Sequence, residues 1–221
     1  YIPCDILKPY IRVLVISESQ AADTYKVLPG TEVVIGFQYM GRLSYQENGE
    51  ENPLSTAGLT GLNDRFRLFS NTAGTGTVLV FFKEGALPSF FRHPVHELFR
   101  ESVSLENFML RSELLILEEK LQEAAGDKKR ISVIESYLIS RMNPAPPDVL
   151  VLSALSLIYK SKGNIRIREL MKSLHSSQSP LEKRFRQVIG TTPKKFASLL
   201  RFKNTLGNYE SQDSLTSLGY E

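Results

Sequence analysis

The chain has 221 residues, 42% of them hydrophobic, which is enough for one large or two modest domains with buried cores. No apolar run reaches the ~18–20 residues of a membrane span, and a single cysteine excludes an internal disulfide framework and favours a reducing, cytoplasmic location. The net charge of +3 is unevenly distributed: residues 160–203 hold twelve basic and two acidic side chains, whereas residues 1–150 hold fifteen and nineteen. Such a local cationic excess predicts a polyanionic partner, most commonly double-stranded DNA.

Residues 10–83 alternate between apolar and polar side chains with the period of two that predicts β-strands. A Pro-Gly pair at 29–30 supplies a turn, and an Asn-Gly pair at 48–49 is a strong hairpin signal. The Gly-Thr-Gly at 74–76 suggests a phosphate-binding loop, but a strand follows it instead of a helix, so a plain turn is preferred. The pattern predicts a small β-barrel or sandwich within an α+β, multidomain chain. Strands are expected at 11–16, 32–38, 65–70 and 77–82.

After residue 88 the apolar spacing becomes helical. Helices are expected over 112–125 and 128–142, each with a stripe of leucine or isoleucine on one face. A Pro-rich linker at 143–147 ends the pair, and Asp148 opens a third helix. Such stripes form either an intramolecular core or a seam with a second subunit, and we predict a homodimer through 112–142. The stripe of the third helix is expected to contain Val149, Leu152, Leu155 and Ile158.

Two short helices follow, joined by a tight polar turn. The first spans 167–174 and the second roughly 178–189, with Ser177 as the N-cap candidate and Gly190 as the stop. The second helix leaves a polar, basic face toward solvent. A basic second helix after a tight turn is typical of a helix-turn-helix. Its buried face is expected to consist of Leu181, Phe185 and either Val188 or Ile189.

The spacing of particular residues makes this segment more specific. It follows the pattern Ser177-x-x-x-Leu181-x-x-x-Phe185, then Gly190-Thr191-Thr192-Pro193-x-x-Phe196 and Arg201. The pattern closely resembles the first helix-turn-helix of AraC-type transcription regulators, where it covers the recognition helix, its glycine stop and the long helix linking two such motifs. Residues 214–221 resemble the beginning of the family's second motif, although family members usually have Ala at the position of Gly219. The second recognition helix is therefore expected to be missing from these 221 residues.

The residues before 90 resemble the same family less specifically. AraC-type regulators commonly carry an N-terminal cupin-like β-barrel sensor followed by a helical linker. The stretches that resemble such sensors are 2–11, 28–30, 60–62 and 82–85. The resemblance implies a sensor domain over 1–105 that binds a small-molecule effector, a helical linker over 106–145 and a DNA-binding domain over 146–221.

A helix-turn-helix of this kind implies which side chains meet DNA. The N–H groups near Ser177 favour a backbone phosphate, Gln178 suits adenine, and Glu182 suits the N4 amine of cytosine. Lysines at helix starts more often position the protein on phosphates, and Arg184, beside the apolar stripe, is expected to be partly structural. The predicted base contacts are Gln178, Ser179, Glu182, Lys183 and Arg186. The predicted phosphate contacts are Ser177, Lys172, Lys194 and Lys195.

Other reactive residues give weaker signals. His93 and His96 form an H-x-x-H pair, but the chain has only three histidines, so surface or capping roles are preferred to a metal site. Cys4 resembles the methyl-accepting cysteine of certain DNA-repair proteins, but those have a four-cysteine zinc cluster. We therefore predict no catalytic residue, metal or cofactor. A cupin-type enzyme with a helical appendage, and a protein-interaction module using the basic helices, stay open as alternatives.

Overall fold

The computed structural model describes residues 1–47, 49–144 and 146–217, with side chains as far as residue 207. The strands are β1 (Ile11–Ser19), β2 (Asp23–Val27), β3 (Val34–Met40), β4 (Leu43–Glu47), β5 (Glu50–Pro53), β6 (Ala57–Thr60), β7 (Arg67–Asn71), β8 (Thr75–Phe82) and β9 (Ser102–Ser104). The helices are α1 (Arg111–Glu123), α2 (Asp127–Arg141), α3 (Val149–Lys160), α4 (Ile167–Ser173), α5 (Gln178–Ile189) and α6 (Pro193–Ser217). The predicted α+β class is confirmed.

The strands of the N-terminal part, which we call the β domain (β1–β9), form two antiparallel sheets. One sheet has the strand order β1-β8-β3-β6-β9 and the other has the order β2-β7-β4-β5. The predicted hairpin joins β4 to β5, with Glu47 opposite Glu50, and Asn48 itself lies outside the described residues. Of the turn predicted at 74–76, only Gly74 lies between β7 and β8, with a φ of 69° that favours glycine, whereas Thr75 and Gly76 already belong to β8.

Alternation along β3 and β8 gives the five-stranded sheet two different faces. On one face, Ile35 and Val80 are fully buried, and the ring of Phe37 meets Tyr137 of α2 edge-on with 5.9 Å between centroids. On the other face, alternate residues such as Leu79 are half-buried and line a cavity. The sheet therefore separates a helix-covered core from a hollow that faces the second sheet.

Helices α1 and α2 bury their stripes against the five-stranded sheet. Both helices match the predicted spans to within two residues at each end. Their stripe residues, at most 7% exposed and in the same core as the sheet, are Leu114, Leu117, Leu121, Ile131, Ile134 and Leu138. These side chains form intramolecular core, so they are not available as a seam between subunits. The predicted homodimer through 112–142 stays a prediction and requires another face of these helices.

The stripe expected on α3 is partly wrong. Leu155 and Ile158 are buried, but Val149 and Leu152 are 71% and 42% exposed, and Val151 is fully buried in their place. Most residues of this helix are apolar, so the sequence offers two competing apolar faces. Packing in the folded chain selects one of them.

The long helix α6 follows the helix-turn-helix, as the resemblance implied. Its backbone continues from Pro193 to Ser217, so residues 214–217, expected to open a second motif, belong to α6. Residues 218–221, the rest of that expected motif, lie outside the described residues. Within the described part of the chain, no helix combines the length and apolarity needed to cross a membrane.

Candidate nucleic-acid interface and ligand cavity

The second helix of the helix-turn-helix, α5, is anchored by its apolar face. It runs from Gln178 to Ile189, as predicted, and both Leu181 and Phe185 are fully buried. The ring of Phe185 meets Phe196 of α6 edge-on, with 5.8 Å between centroids. Because burying each such side chain stabilises the fold by about 1.5–3 kcal/mol, these contacts determine which side of α5 faces solvent.

Both ends of α5 depend on residues with positive φ. His175, in the turn after α4, has a φ of 47°, a conformation that usually costs a non-glycine residue roughly 1–2 kcal/mol. Gly190 ends α5 with a φ of 100°, and its N–H donates to the carbonyl of Arg186 at 3.0 Å. A Cβ at Gly190 would lie 3.0 Å from the carbonyl oxygen of Val95, so glycine also permits close approach to the β domain.

Of the predicted base contacts, Ser179, Lys183 and Arg186 lie on the side of α5 opposite its buried residues, whereas Gln178 lies in the first turn nearer the apolar edge. Gln178, Ser179, Lys183 and Arg186 are exposed, and Glu182 is half-buried. The Nε2 of Gln178 donates to Oε1 of Glu182 at 2.7 Å, which orients the two side chains together. Among the described side chains, no carboxylate lies within ion-pair distance of Lys183 or Arg186.

The start of α5 is open to an anion. Ser177 occupies the N-cap, but its hydroxyl makes no capping bond with the described backbone. The N–H groups of the first turn therefore lack a side-chain partner at the positive end of the helix dipole. Pro180 in the same turn has no N–H to satisfy. The prediction that Ser177 contacts phosphate fits this geometry.

The three lysines predicted to contact phosphate differ in their surroundings. Lys172 on α4 and Lys194 on α6 are exposed, and neither forms an ion pair with the side chains that the structure describes. The Nζ of Lys195 instead donates to Oδ2 of Asp64 in the β domain at 2.6 Å. A phosphate contact at Lys195 therefore requires that this bond be broken.

Arg184 joins α5 to α3. Its guanidinium donates to both carboxylate oxygens of Asp148, at 2.7 and 2.9 Å. Asp148 also accepts the N–H of Val151 at 3.0 Å and so caps the start of α3. The structural role expected for Arg184 thus has a specific partner, which the sequence had indicated only as a helix start.

The helix-turn-helix packs directly on the β domain. The side chains of Val188 and Ile189 at the end of α5 lie against Gly85 and Val95. The hydroxyl of Tyr159 on α3 donates to Glu84 at 2.6 Å. Helices α3 and α5 therefore both contact the β domain.

Two acidic residues of the β domain hold lysines of α6 across this interface. Asp64, whose side chain is 8% exposed, accepts two hydrogen bonds from Arg100 at 2.6 and 2.9 Å and one from Lys195. The bonds from Arg100, together with those from Lys195, hold the pKa of the Asp64 carboxyl well below its usual range. Burial would raise the pKa of Glu32, but its ion pair with Lys203 outweighs burial and lowers it.

Neither Asp64 nor Glu32 is marked by a pattern in the sequence. Each is an isolated charge in a loop, and its lysine partner lies more than a hundred residues further along the chain. No periodic or motif signal connects such residues, so only the folded structure identifies them.

A cavity of about 300 Å³ lies between the two sheets of the β domain. Its walls are mainly apolar and aromatic, and none of the described lining residues carries a charge. The amide of Gln38 is already satisfied, because it donates to the carbonyl of Ser55 at 2.7 Å and accepts from the N–H of Leu43 at 2.7 Å. Burial raises the pKa of Tyr25, so its hydroxyl stays neutral. The principal walls are Val34, Leu79 and Phe81 from one sheet and Tyr25, Tyr45 and Phe69 from the other.

His93 and Cys4, whose sequence signals were weaker, make structural contacts within the fold. The Nε2 of His93 lies 3.1 Å from a carboxylate oxygen of Glu97, and its ring packs edge-on against Phe108. The thiol of Cys4 is half-buried, and the backbone N–H of Cys4 donates to Glu135 at 2.6 Å. Among the side chains that the structure describes, up to residue 207, no three His, Cys, Asp or Glu side chains are grouped so as to hold a metal ion.

The chain resembles one sequence family and several solved structures. A family described as a domain of unknown function (DUF6597) matches residues 1–104, and no curated protein gives a significant match. The solved structure of a singly substituted apo ToxT from Vibrio cholerae aligns with 88% of this chain and 81% of its own, at 12% identity and a TM-score of 0.48. Wild-type ToxT with bound unsaturated fatty acid covers 90% and 81%, at 12% identity and 0.46. The AraC-like transcriptional activator CuxR covers 89% and 77%, at 12% identity and 0.34.

Proposed function

We propose that the protein is a sequence-specific DNA-binding transcriptional regulator of the AraC type. The observation that carries this proposal is a row of polar side chains on α5, anchored by the buried Leu181 and Phe185. The row consists of the exposed Gln178, Ser179, Lys183 and Arg186 and the half-buried Glu182. The major groove of B-DNA admits a helix of this kind, and residues near its N-terminus then contact base edges. Lys172 on α4 and Lys194 on α6, the helices before and after α5, are exposed cations that would bind backbone phosphates.

The bond between Gln178 and Glu182 gives the row a specific chemistry. It uses one Nε2 hydrogen of Gln178 and leaves the second hydrogen and the amide oxygen for a bidentate contact with adenine. The other carboxylate oxygen of Glu182 is left for the N4 amine of cytosine. Lys183 and Arg186 suit guanine or phosphate. At the start of the helix, Ser179 would contact a base and Ser177 a backbone phosphate.

The test is a fluorescence-anisotropy titration of a random-sequence duplex pool at several salt concentrations. For the wild-type chain we expect affinity to fall steeply with salt, at a slope of about 0.9 per phosphate neutralised. The Lys183→Ala/Arg186→Ala double variant should bind more weakly and with a smaller slope. Lys128→Ala/Lys129→Ala, which removes the same charge from exposed positions on α2, should bind as the wild type does. Salt-independent binding, or equal losses in both variants, would favour a protein-interaction module over a DNA reader.

We also propose that the cavity between the sheets holds a small, neutral, mainly apolar effector. A charged group buried there would have no partner among the lining residues, and burying an unpaired charge is costly. Aromatic side chains such as Tyr25 and Phe69, stacked with 6.1 Å between centroids, offer flat surfaces to a ring or branched hydrocarbon. The volume is at the lower end of the range for small-molecule sites.

Two fluorescent probes that share one scaffold test this proposal in the full chain. The neutral N-phenylnaphthylamine should bind and brighten, whereas the sulfonated anilinonaphthalene should bind several-fold more weakly. Leu79→Trp, which fills the cavity, should abolish the signal, and Leu115→Trp, at an exposed position on α1, should not. Equal binding of both probes, or a signal that survives Leu79→Trp, would contradict this location for the effector.

A further inference from the structure

The two acid–lysine contacts between the β domain and α6 share a geometry that suggests a common role. Lys195 pairs with Asp64, and Lys203 pairs with Glu32. The lysines are eight residues apart, so they lie about 12 Å apart along the axis of α6, two turns from one another on the same side of the helix. Lys195 is in the first turn of α6, directly after the helix proposed to enter the major groove.

The acids are held in place by their own domain. Arg100 binds both carboxylate oxygens of Asp64, and Arg12 approaches Glu32 to 3.4 Å. The loops that carry the acids are also joined to each other, because the N–H of Gly30 donates to the carbonyl of Asn63 at 2.9 Å. Each acid therefore has an arginine partner within the β domain, and the loops that carry the two acids are hydrogen-bonded to each other.

A carboxylate and a DNA phosphate compete for the same ammonium group. The Nζ of Lys195 is within 2.6 Å of Asp64, and a phosphate at that position would need the same donor hydrogens. The carboxylate group of Asp64 is largely shielded from solvent, so salt screens the pair less than it would screen an exposed pair. While both lysines are paired with the acids, their ammonium groups are occupied by carboxylates of the β domain.

We infer that Asp64 and Glu32 form an autoinhibitory clamp, which occupies two lysines of α6 that DNA phosphates would otherwise bind. This inference rests on the proposed DNA-binding function and describes how that DNA binding would be regulated. The clamp is connected to the cavity: Glu32 lies two residues before β3, which lines the cavity, and Asp64 lies in the loop between β6 and β7, which also line it. The clamp is closed when both lysines are paired with the acids and open when they are released. A ligand that binds better to the strand arrangement of one of these states shifts the equilibrium toward that state.

The experiment removes the acids without changing their shape. Asp64→Asn/Glu32→Gln is introduced into the full chain, and its binding to the random duplex pool is measured by anisotropy as a function of salt. We expect DNA affinity to rise by roughly fivefold or more, as is typical of allosteric coupling. The slope of log affinity against log salt should become steeper by about 0.9 for each lysine that gains a phosphate. Glu47→Gln/Glu50→Gln, which removes the same charge from the exposed β4–β5 hairpin, controls for net charge and should leave the slope unchanged.

A second comparison distinguishes the clamp from a general loosening of the fold. Lys195→Gln should weaken DNA binding more in the Asp64→Asn background than in the wild-type chain, because Asp64 already occupies that lysine in the wild type. If Asp64→Asn fails to fold, the same comparison is made at the other contact. Lys203→Gln is then introduced into the wild-type chain and into the Glu32→Gln variant. Salt-dependent binding by the wild type with no steeper slope in the double variant would overturn the clamp and leave the DNA-binding function standing. Absence of binding by every variant at low salt would overturn both.

Discussion

Arg184 and Arg186 lie two residues apart on α5, and we expect them to respond in opposite ways to truncation. Arg186 is exposed on the side proposed to face DNA, and no carboxylate among the described side chains pairs with it. Arg184 makes two hydrogen bonds to Asp148, which is 17% exposed and caps α3. Arg186→Ala should therefore weaken DNA binding without changing stability, and Arg184→Ala should lower stability while DNA binding persists.

The two effects have different expected sizes. An arginine that contacts a base contributes about 1–3 kcal/mol, which corresponds to roughly 5- to 150-fold in Kd. The pair between Arg184 and Asp148 is partly exposed, with 48% of the arginine side chain accessible, so solvent screening limits its contribution. We expect Arg184→Ala to lower the free energy of unfolding by about 0.5–1 kcal/mol, since Asp148 keeps its bond to the N–H of Val151.

The assay combines anisotropy on a duplex site selected by the wild-type chain with urea unfolding followed by circular dichroism. Arg42→Ala, at an exposed position in the β domain, loses the same charge and should change neither measurement. Unchanged DNA affinity in Arg186→Ala would refute the placement of Arg186 against DNA. A loss of affinity in Arg184→Ala as large as that in Arg186→Ala would refute the division of roles along α5.

Three further predictions concern the turn, the core and the oligomeric state. His175→Gly should raise the free energy of unfolding in urea by roughly 0.5–1 kcal/mol, because glycine adopts the positive φ at that position without steric cost; a decrease would contradict strain in the turn. Burial raises the pKa of Tyr137 from 10.0 to about 12, so the stability that its neutral phenol contributes is complete below pH 10 and is lost as the pH rises through 12. Tyr137→Phe should reduce the loss of stability in that window, and an identical alkaline profile would exclude this tyrosine as the cause. The predicted homodimer has an exposed apolar face available on α1, where Leu115 and Ile116 are 53% and 52% exposed. If it forms there, Ile116→Glu should convert dimer to monomer in sedimentation velocity, and a monomeric wild type would end that prediction.

The helix proposed to meet DNA could be located from the sequence because its signals are local. Leu181 and Phe185 recur at helical spacing, Gly190 supplies the left-handed stop, and Pro193 occupies the first position of α6. Once the buried face is known, the geometry of 3.6 residues per turn places Lys183 and Arg186 on the opposite side. Each of these features depends only on neighbours within a few residues.

Elements with weak or ambiguous patterns were harder to predict. Strand β2 is exposed along its whole length and β5 is largely polar, so neither shows the alternation that marks a half-buried strand. Helix α3 is ambiguous for a different reason. Most of its residues are apolar, so either of two faces could be buried, and Val149, which was predicted to be buried, is exposed. In both cases the neighbouring elements decide burial, and the sequence of one segment does not contain them.

The sequence by itself determined the α+β class, the bounds of α5 and the concentration of positive charge at the C-terminal end, since composition and short-range periodicity carry that information. Only the tertiary structure decided that Lys195 and Lys203 face Asp64 and Glu32, residues that precede them by 131 and 171 positions. It also decided that a cavity separates the two sheets, because the cavity is formed by side chains from strands spread over most of the β domain. A charge has no period along the chain, and its partner depends on how the whole polypeptide packs.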